Sequence, residues 1–482
     1  MVRRKTKILA TVGPASNNYE VLLEMIEAGV NVFRLNFSHG SHEEHSATLA
    51  NIRKAIKTSG KLVGILQDIS GPKIRIGDLP HTVEVKEGDM IIFDKNLNAC
   101  SLDRRAVTLT LNRPEILKKV QVGESIYLYD GKIQTTVTHI EEDRVITMVD
   151  NHGILSSRKG VNFPKTHLGI DVLTPKDKED ILWGIQNDVD FMAISFVQNA
   201  DDMNNVRTFI AEHGGDVKLF SKIEKFDAVE NIDEIIDASD GVMVARGDLG
   251  IEMPFSEVPV IQKSVIKKAN EKNIPVITAT QMLLSMTEND MATRAEISDV
   301  ANAVLDGTDV VMLSEETAVG INPVKAVSTM ATTIKKAETI YPYGKHEKFT
   351  TFDDTDIITQ SMTRLAQNLD VEGIISLTSS GSSAMKMARY RVKTPIFSVS
   401  HDEKVARSLT IVWGIYPRKC VKKDIMHNML GEVLREMIDS NHIDFKKTYL
   451  AVAGYPAGVP GTTNFMRILK KDEIKHYTDN SY

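Results

Sequence analysis

VKLFSKIEKF (Val217–Phe226) and DGVMVARGDLG (Asp240–Gly250) are the stretches whose reading decides the fold. Each opens as a short apolar run and closes in charge, with Lys222 and Glu224 in the first and Arg246 and Asp248 in the second. A strand has a side-chain period of two, so Lys222 and Glu224 are expected on one side, and likewise Arg246 and Asp248. Two carboxylates beside a Lys and an Arg at the carboxyl ends of neighbouring strands suit a divalent cation and a multiply charged anion. Hard oxygen ligands suit magnesium, which keeps several waters and takes further ligands from substrate phosphates. Ordinary surface ion pairs are the plainer reading of either segment alone.

Working outward, strand-like runs beginning near Ile8, Val32 and Leu62 alternate with helical spacing over Tyr19–Ala28 and Glu43–Thr58. The alternation resumes with a helix at Asp177–Asn187. Strands Phe191–Phe196, Leu219–Ile223, Val242–Ala245, Val276–Ala279 and Val310–Leu313 follow. Helices Ser256–Glu271, Thr293–Leu305 and Pro323–Thr339 lie among them, the second opening on a Thr293/Glu296 capping box and the third on Asn322-Pro323. Eight strands joined by helices spell a (β/α)8 barrel, whose active site lies at the carboxyl ends of the strands. A doubly wound sheet is the rival, but neither GxGxxG nor GxxxxGK[ST] stands where it would need one.

The rhythm breaks between residues 73 and 171. Runs at His81–Phe93, Val107–Leu111, Ser125–Tyr129, Lys132–Ile140 and Arg144–Val149 have strand character, and Asp130-Gly131 signals a hairpin turn. We read an inserted small β-barrel-like lid domain. The barrel then comprises 1–72 and 172–345. A C-terminal α/β domain (346–482) carries strands at Gly373–Leu377, Ile396–Val399, Thr448–Ala453 and Phe465–Leu469, and helices at Ile357–Leu369, Ser383–Arg391, Glu403–Val412 and Asp424–Ile438.

The 482 residues allow about three domains. A net charge of −7 argues against a general nucleic-acid binder. Two cysteines, Cys100 and Cys420, make neither a disulfide framework nor a zinc site and fit a reducing cytoplasm. The apolar run near the N-terminus is too short for a signal peptide, and no stretch reaches the ~20 apolar residues of a membrane span.

The strand ends collect polar chemistry: Arg34, Asn36, Ser38 and His39 after the second strand; Asp68, Lys73 and Arg75 after the third; Thr278 and Thr280 at the seventh; Ser314, Glu315 and Glu316 at the eighth. His39 alone reads as a structural histidine and Thr280 alone as strand surface. Together they read as a site.

At this point the chain resembles the pyruvate kinase family over essentially its full length. The resemblance rests on RLNFSHG (Arg34–Gly40), GPKIRIG (Gly71–Gly77), KIE (Lys222–Glu224) and ARGDLG (Ala245–Gly250). TATQML (Thr278–Leu283), TRAEISDVANAVLDGTD (Thr293–Asp309) and MLSEETA (Met312–Ala318) complete it. It implies phosphoryl transfer from phosphoenolpyruvate to ADP, giving pyruvate and ATP in glycolysis, with Mg2+ or Mn2+ held by Glu224 and Asp248. Lys222 and Arg34 would neutralise and hold the phosphoryl group. Gly247 and Asp248 would receive the substrate, and Thr280 and Ser314 would serve enolate protonation through water. Asn36, His39, Arg75, Lys176 and Arg246 would face the nucleotide. Asp130 is a weaker candidate for a contact made on lid closure. A homotetramer is implied by the resemblance alone.

One departure stands out. Potassium-requiring members carry Glu where this chain has Lys73, and their potassium ligands match Asn36, Ser38, Asp68 and the Ile69 carbonyl. A tethered ammonium is a fixed monovalent cation, so potassium is not expected to be required. In the third domain, Thr378-Ser379-Ser380-Gly381-Ser382-Ser383 is similar to the family's sugar-phosphate effector loop, and Ala453–Thr463 is expected to cover it. A Ser-rich turn with an N-cap is the plainer alternative. The rival functions are another metal-dependent barrel that binds phosphoenolpyruvate or pyruvate, and an inert sugar-phosphate sensor or scaffold.

Overall fold

Residues 3–97, 99–103, 106–344, 353–419, 426–454 and 463–479 are described in the computed structural model of the chain. Eight parallel strands close into a barrel: Lys7–Thr11, Val32–Asn36, Gly64–Ile69, Phe191–Ile194, Lys218–Ile223, Gly241–Ala245, Val276–Ala279 and Val310–Leu313. The first pairs with both the second and the eighth, which completes the ring. Most of these strand residues are buried, so the strands read as continuous apolar runs rather than alternating ones.

The helices start and stop where local chemistry dictates. Asn18 caps Tyr19–Ala28 by accepting from the Val21 N–H, and Gly29, at φ 125°, ends that helix in a conformation open to glycine. The Thr293/Glu296 capping box opens Arg294–Asp306, and Asn322 with Pro323 opens Pro323–Ala337, as read from the sequence.

Several elements went unread, among them the short insert strands Ser101–Asp103, Gly153–Leu155 and Val161–Asn162 and three others. Helix Ala200–Glu212 buries only Met203, Val206, Ile210 and Asp202, too thin a stripe to stand out, although its Asn199/Asp202 capping box was legible. Strand Ile415–Lys419 contains Pro417, which demotes a run, and it is the edge strand of its sheet. Helix Lys471–Asp479 is the third. The single strand expected over His81–Phe93 is two, Val83–Val85 and Met90–Asp94. The Asp89 carboxylate accepts from the Lys86 N–H and folds the intervening residues into a turn.

The insert is a seven-stranded sheet with a separate two-stranded ribbon, wrapped around its own apolar core that includes Phe93, Ile126, Leu128 and Phe163. Its hairpin turns at Tyr129-Asp130-Gly131, all at positive φ. The C-terminal unit is a five-stranded sheet, parallel except for Thr463–Leu469. It packs beneath the barrel. Leu9, Phe191, Phe220 and Met243 share one buried cluster with Ile374, Tyr390, Leu409 and Ile411. Arg391 clamps Asp309, at the start of the eighth strand, with Nη1 3.1 Å from Oδ1 and Nη2 2.9 Å from Oδ2. This leaves the opposite, carboxyl ends of the strands free to form a cleft.

Candidate active site

That cleft has a volume of about 360 Å³ and is lined by Thr11, Arg34, Asn36, His39, Asp68, Lys222, Asp248, Thr280 and Ser314 among others. Asp68 is its electrostatic pivot. Arg34 donates Nε to Asp68 Oδ2 at 2.6 Å and Nη1 to the Thr11 hydroxyl at 3.0 Å. Lys222 Nζ lies 3.5 Å from the other Asp68 oxygen and 3.2 Å from Glu224 Oε2. Lys222 and Glu224 therefore do share a side. Burial would raise the Asp68 pKa, but the Arg34 and then the Lys222 charge hold it below the ordinary range. Burial would likewise lower Lys222, yet Asp68, Glu224 and Asp248 outweigh it and push the ammonium above its ordinary value. The three carboxylates thus favour Lys222 as the ammonium cation.

Glu224 is pushed the other way. Burial raises its pKa first, and the charges of Asp248 and Asp68 add to this against the pull of Lys222. A carboxyl made unstable as an anion by burial and by neighbouring carboxylates is the situation that a divalent cation relieves. Two hard-oxygen ligands, with waters and phosphate oxygens to follow, fit magnesium or manganese. Among the described residues no group of three or more His, Cys, Asp and Glu side chains is arranged to hold a metal by protein ligands alone.

The pairing expected of Arg246 and Asp248 needs correction. The sixth strand ends at Ala245, and Arg246–Glu252 is helical, so residues two apart diverge by about 200° instead of sharing a face. Asp248 lines the cleft. Arg246 pairs with Asp299 at 2.8 Å and donates to the Thr280 carbonyl at 2.7 Å. Lys176 is similarly engaged, with Asp180 at 2.6 Å and the Phe37 carbonyl at 3.0 Å. Arg75 donates to the Arg158 carbonyl of the insert at 2.9 Å. His39 is exposed at the rim; partial burial and the charges of Lys73, Arg75 and Arg34 keep its pKa down.

Thr280 sits at φ 66°, a left-handed conformation that is costly for a β-branched residue and persists where surroundings over-determine it. Its hydroxyl accepts from the Gly247 N–H at 2.8 Å and donates to the Ala279 carbonyl at 2.7 Å. Glu316 accepts from the backbone N–H groups of both Leu283 and Ser314, tying the loops after the seventh and eighth strands together.

The atoms matching a monovalent-cation site are turned on one another. Asn36 Oδ1 accepts from the Ser38 N–H at 3.1 Å, and the Ser38 and Ser70 hydroxyls are 3.3 Å apart. The Ile69 carbonyl accepts from Ser195 at 2.7 Å. Lys73 is solvent-exposed, within electrostatic reach of Lys222, Asp248 and Glu224. Desolvation by the surrounding protein lowers its pKa, with Lys222 adding and Asp248 and Glu224 opposing.

In the C-terminal domain, Thr378–Ser383 runs from a strand end into helix Ser382–Ala388 through Gly381 at φ 86°. The Gly381 N–H donates to the Thr378 hydroxyl, and the Ser383 hydroxyl contacts that of Thr463. Ser379, Ser380 and Ser382 remain at least partly accessible. Residues 455–462 of the expected covering loop, and Cys420, lie outside the described residues.

Two hydroxyls escaped the sequence reading, Thr11 from the first barrel strand and Ser195 from just after the fourth. Each stands at the carboxyl end of an apolar run, but a neutral hydroxyl there is commonplace and lacks the signal that the charge of Asp68 carries.

Comparison with known proteins agrees with this arrangement. A family model described as pyruvate kinase, barrel domain, matches residues 3–327. One described as pyruvate kinase, alpha/beta domain, matches residues 356–469. The chain is 42% identical over 475 residues to a pyruvate kinase of Geobacillus stearothermophilus, covering 97% of this chain and 80% of that protein. To the pyruvate kinase of Sporosarcina psychrophila it is also 42% identical, over 96% and 80%. It is similar to a crystal structure of a pyruvate kinase from Cryptosporidium parvum, with a TM-score of 0.91 and 35% identity, covering 97% and 96% of the two chains. These findings favour a kinase over an inert sensor or another phosphoenolpyruvate-binding barrel. Among the described residues no helix is long and apolar enough to cross a membrane.

Proposed function

Because the chain belongs to the pyruvate kinase family of glycolytic phosphotransferases, we infer that it moves the phosphoryl group of phosphoenolpyruvate to ADP and protonates the resulting enolate, giving pyruvate and ATP. The observation that carries this reading is the contact chain Arg34–Asp68–Lys222 along the lining of the cleft, continued from Lys222 to the buried Glu224, with Asp248 also on the lining.

Phosphoryl transfer asks mainly for positioning and charge stabilisation. Asp68 holds the Arg34 guanidinium by an edge, leaving the planar group oriented towards the cleft for bidentate phosphate recognition. Lys222, kept charged by three carboxylates, neutralises the phosphoryl group in flight and the enolate left behind. Glu224 and Asp248 would hold magnesium or manganese, which when bound supplies Lewis-acid polarisation of substrate oxygens. The substrate carboxylate would sit at the Gly247–Asp248 helix start, drawing the Gly247 N–H from the Thr280 hydroxyl. Thr280 and Ser314 hold the water that delivers a proton to the enolate carbon, since neither hydroxyl is acidic enough to act alone. Asn36, His39 and Arg75 face the nucleotide, while Arg246 and Lys176 brace the Thr280 and Phe37 loops behind it. The insert, 73–171, closes over the nucleotide and excludes water.

The Lys73 ammonium takes the place of potassium, supported by the hydrogen bonds among Asn36, Ser38 and Ser70 and by the engagement of the Ile69 carbonyl with Ser195. The Thr378–Ser383 loop takes a phosphorylated effector, and the enzyme works as a cytoplasmic homotetramer. The test is ATP formation from phosphoenolpyruvate and ADP with Mg2+, in buffer free of potassium, sodium and ammonium, then with potassium added. Full activity without potassium is expected. Strong activation by potassium would overturn the role of Lys73, and no activity in either buffer would overturn the reaction.

A further inference from the structure

We propose that Ser195 and Phe196 form a positioning elbow that sets Lys222 and Glu224 at the same time. The proposal rests on the assignment of those two residues to phosphoryl transfer and metal binding. Lys222 Nζ donates to the Ser195 hydroxyl at 2.7 Å, and that hydroxyl donates onward to the Ile69 carbonyl at 2.7 Å. The neighbouring Phe196 N–H donates to Glu224 Oε1 at 2.7 Å. One dipeptide therefore grips the phosphoryl-stabilising cation by a side chain and the metal carboxylate by its backbone.

The backbone is bent to do so. Phe196 has φ 62°, in the left-handed region that a bulky side chain avoids. Strain of this kind survives where the surroundings enforce it. Gly71, from the GPKIRIG stretch, is part of that enforcement. It lies at φ 70°, and a Cβ there would meet Phe196 Cδ2 at 2.9 Å and Ser195 Cβ at 3.0 Å. The glycine thus leaves room for the elbow to press against the loop that follows the third strand. The Ser195 hydroxyl also occupies the Ile69 carbonyl, so the elbow joins the monovalent-cation region to Lys222.

The test uses the full-length protein and two readouts. Removing a hydrogen bond to a charged group is expected to lower kcat of Ser195→Ala about 10- to 100-fold, with the KM for ADP within about threefold of wild type. Ser195→Thr, which keeps the hydroxyl, should recover most of that loss. Direct titration with Mn2+, followed by electron paramagnetic resonance without substrates, reads the Glu224 arm. Gly71→Ala should weaken Mn2+ binding about tenfold or more by displacing Phe196, while Ser195→Ala leaves it within about threefold. Two results overturn the proposal: Ser195→Ala turning over at the wild-type rate, or Ser195→Thr remaining as slow as Ser195→Ala at unchanged thermal stability. Unchanged Mn2+ affinity in Gly71→Ala overturns the Glu224 arm. If wild type binds Mn2+ but makes no ATP, the proposed reaction fails and the Mn2+ titration still judges the elbow.

Discussion

Replacing Lys7 by Met is expected to stabilise the protein, and to do so less as the pH rises. Lys7 opens the first barrel strand and is 2% exposed, with its ammonium donating to the Ile415 carbonyl and lying 4.8 Å from the centre of the Tyr416 ring. Burial, then the Arg4 charge, lowers its pKa from 10.5 to about 7, despite the pull of Glu338 and Asp309. Between those two values the unfolded chain carries a proton that the folded chain lacks, so folding stability climbs with pH across this window. At one pKa unit per 1.36 kcal/mol, the cost borne at pH 6 is roughly 5 kcal/mol. Methionine removes that cost but strands the Ile415 carbonyl, which takes back about 1–3 kcal/mol. A net gain of about 2–4 kcal/mol at pH 6 remains, and it should vanish between about pH 8 and about pH 10. Urea unfolding of wild type and Lys7→Met at pH 6, 7, 8 and 9 measures the difference directly. A difference that does not change with pH, or a variant less stable at pH 6, would refute the picture of a lysine buried against its charge.

Lys73→Glu should convert activity from potassium-indifferent to potassium-dependent, read by repeating the cation-free assay with and without added potassium. Asp68→Asn removes the anion that orients Arg34 and supports the Lys222 charge; kcat/KM should fall about 10- to 100-fold, and the alkaline limb of the pH–rate profile should move down. Asp309→Ala leaves the buried Arg391 guanidinium without its carboxylate beneath the barrel, which should cost about 3–5 kcal/mol in urea unfolding.

How far the sequence could be read depended on whether the deciding contact is local. The eight barrel strands were legible because each is a short run flanked by caps, turns or glycines, and Thr293/Glu296 or Asn322-Pro323 announce their helices within four residues. Strand Ile415–Lys419 was not, because its identity comes from a neighbour in the sheet, and Pro417 argues against it locally. At the site, Asp68, Lys222, Glu224 and Asp248 were found because a charge closing an apolar run is unusual. Arg246 obeys the same local rule and turns elsewhere, because its strand gives way to a helix one residue earlier than the period of two assumed. Ser195 shows the converse. A serine after an apolar run is commonplace, and it matters only because the third and fifth strands bring Ile69 and Lys222 to either side of its hydroxyl. A charged group carries its own signal in the sequence, whereas a neutral hydroxyl acquires a role from what the barrel's closure sets around it. The residues that hold a catalytic centre in place are for that reason harder to read than those that form it.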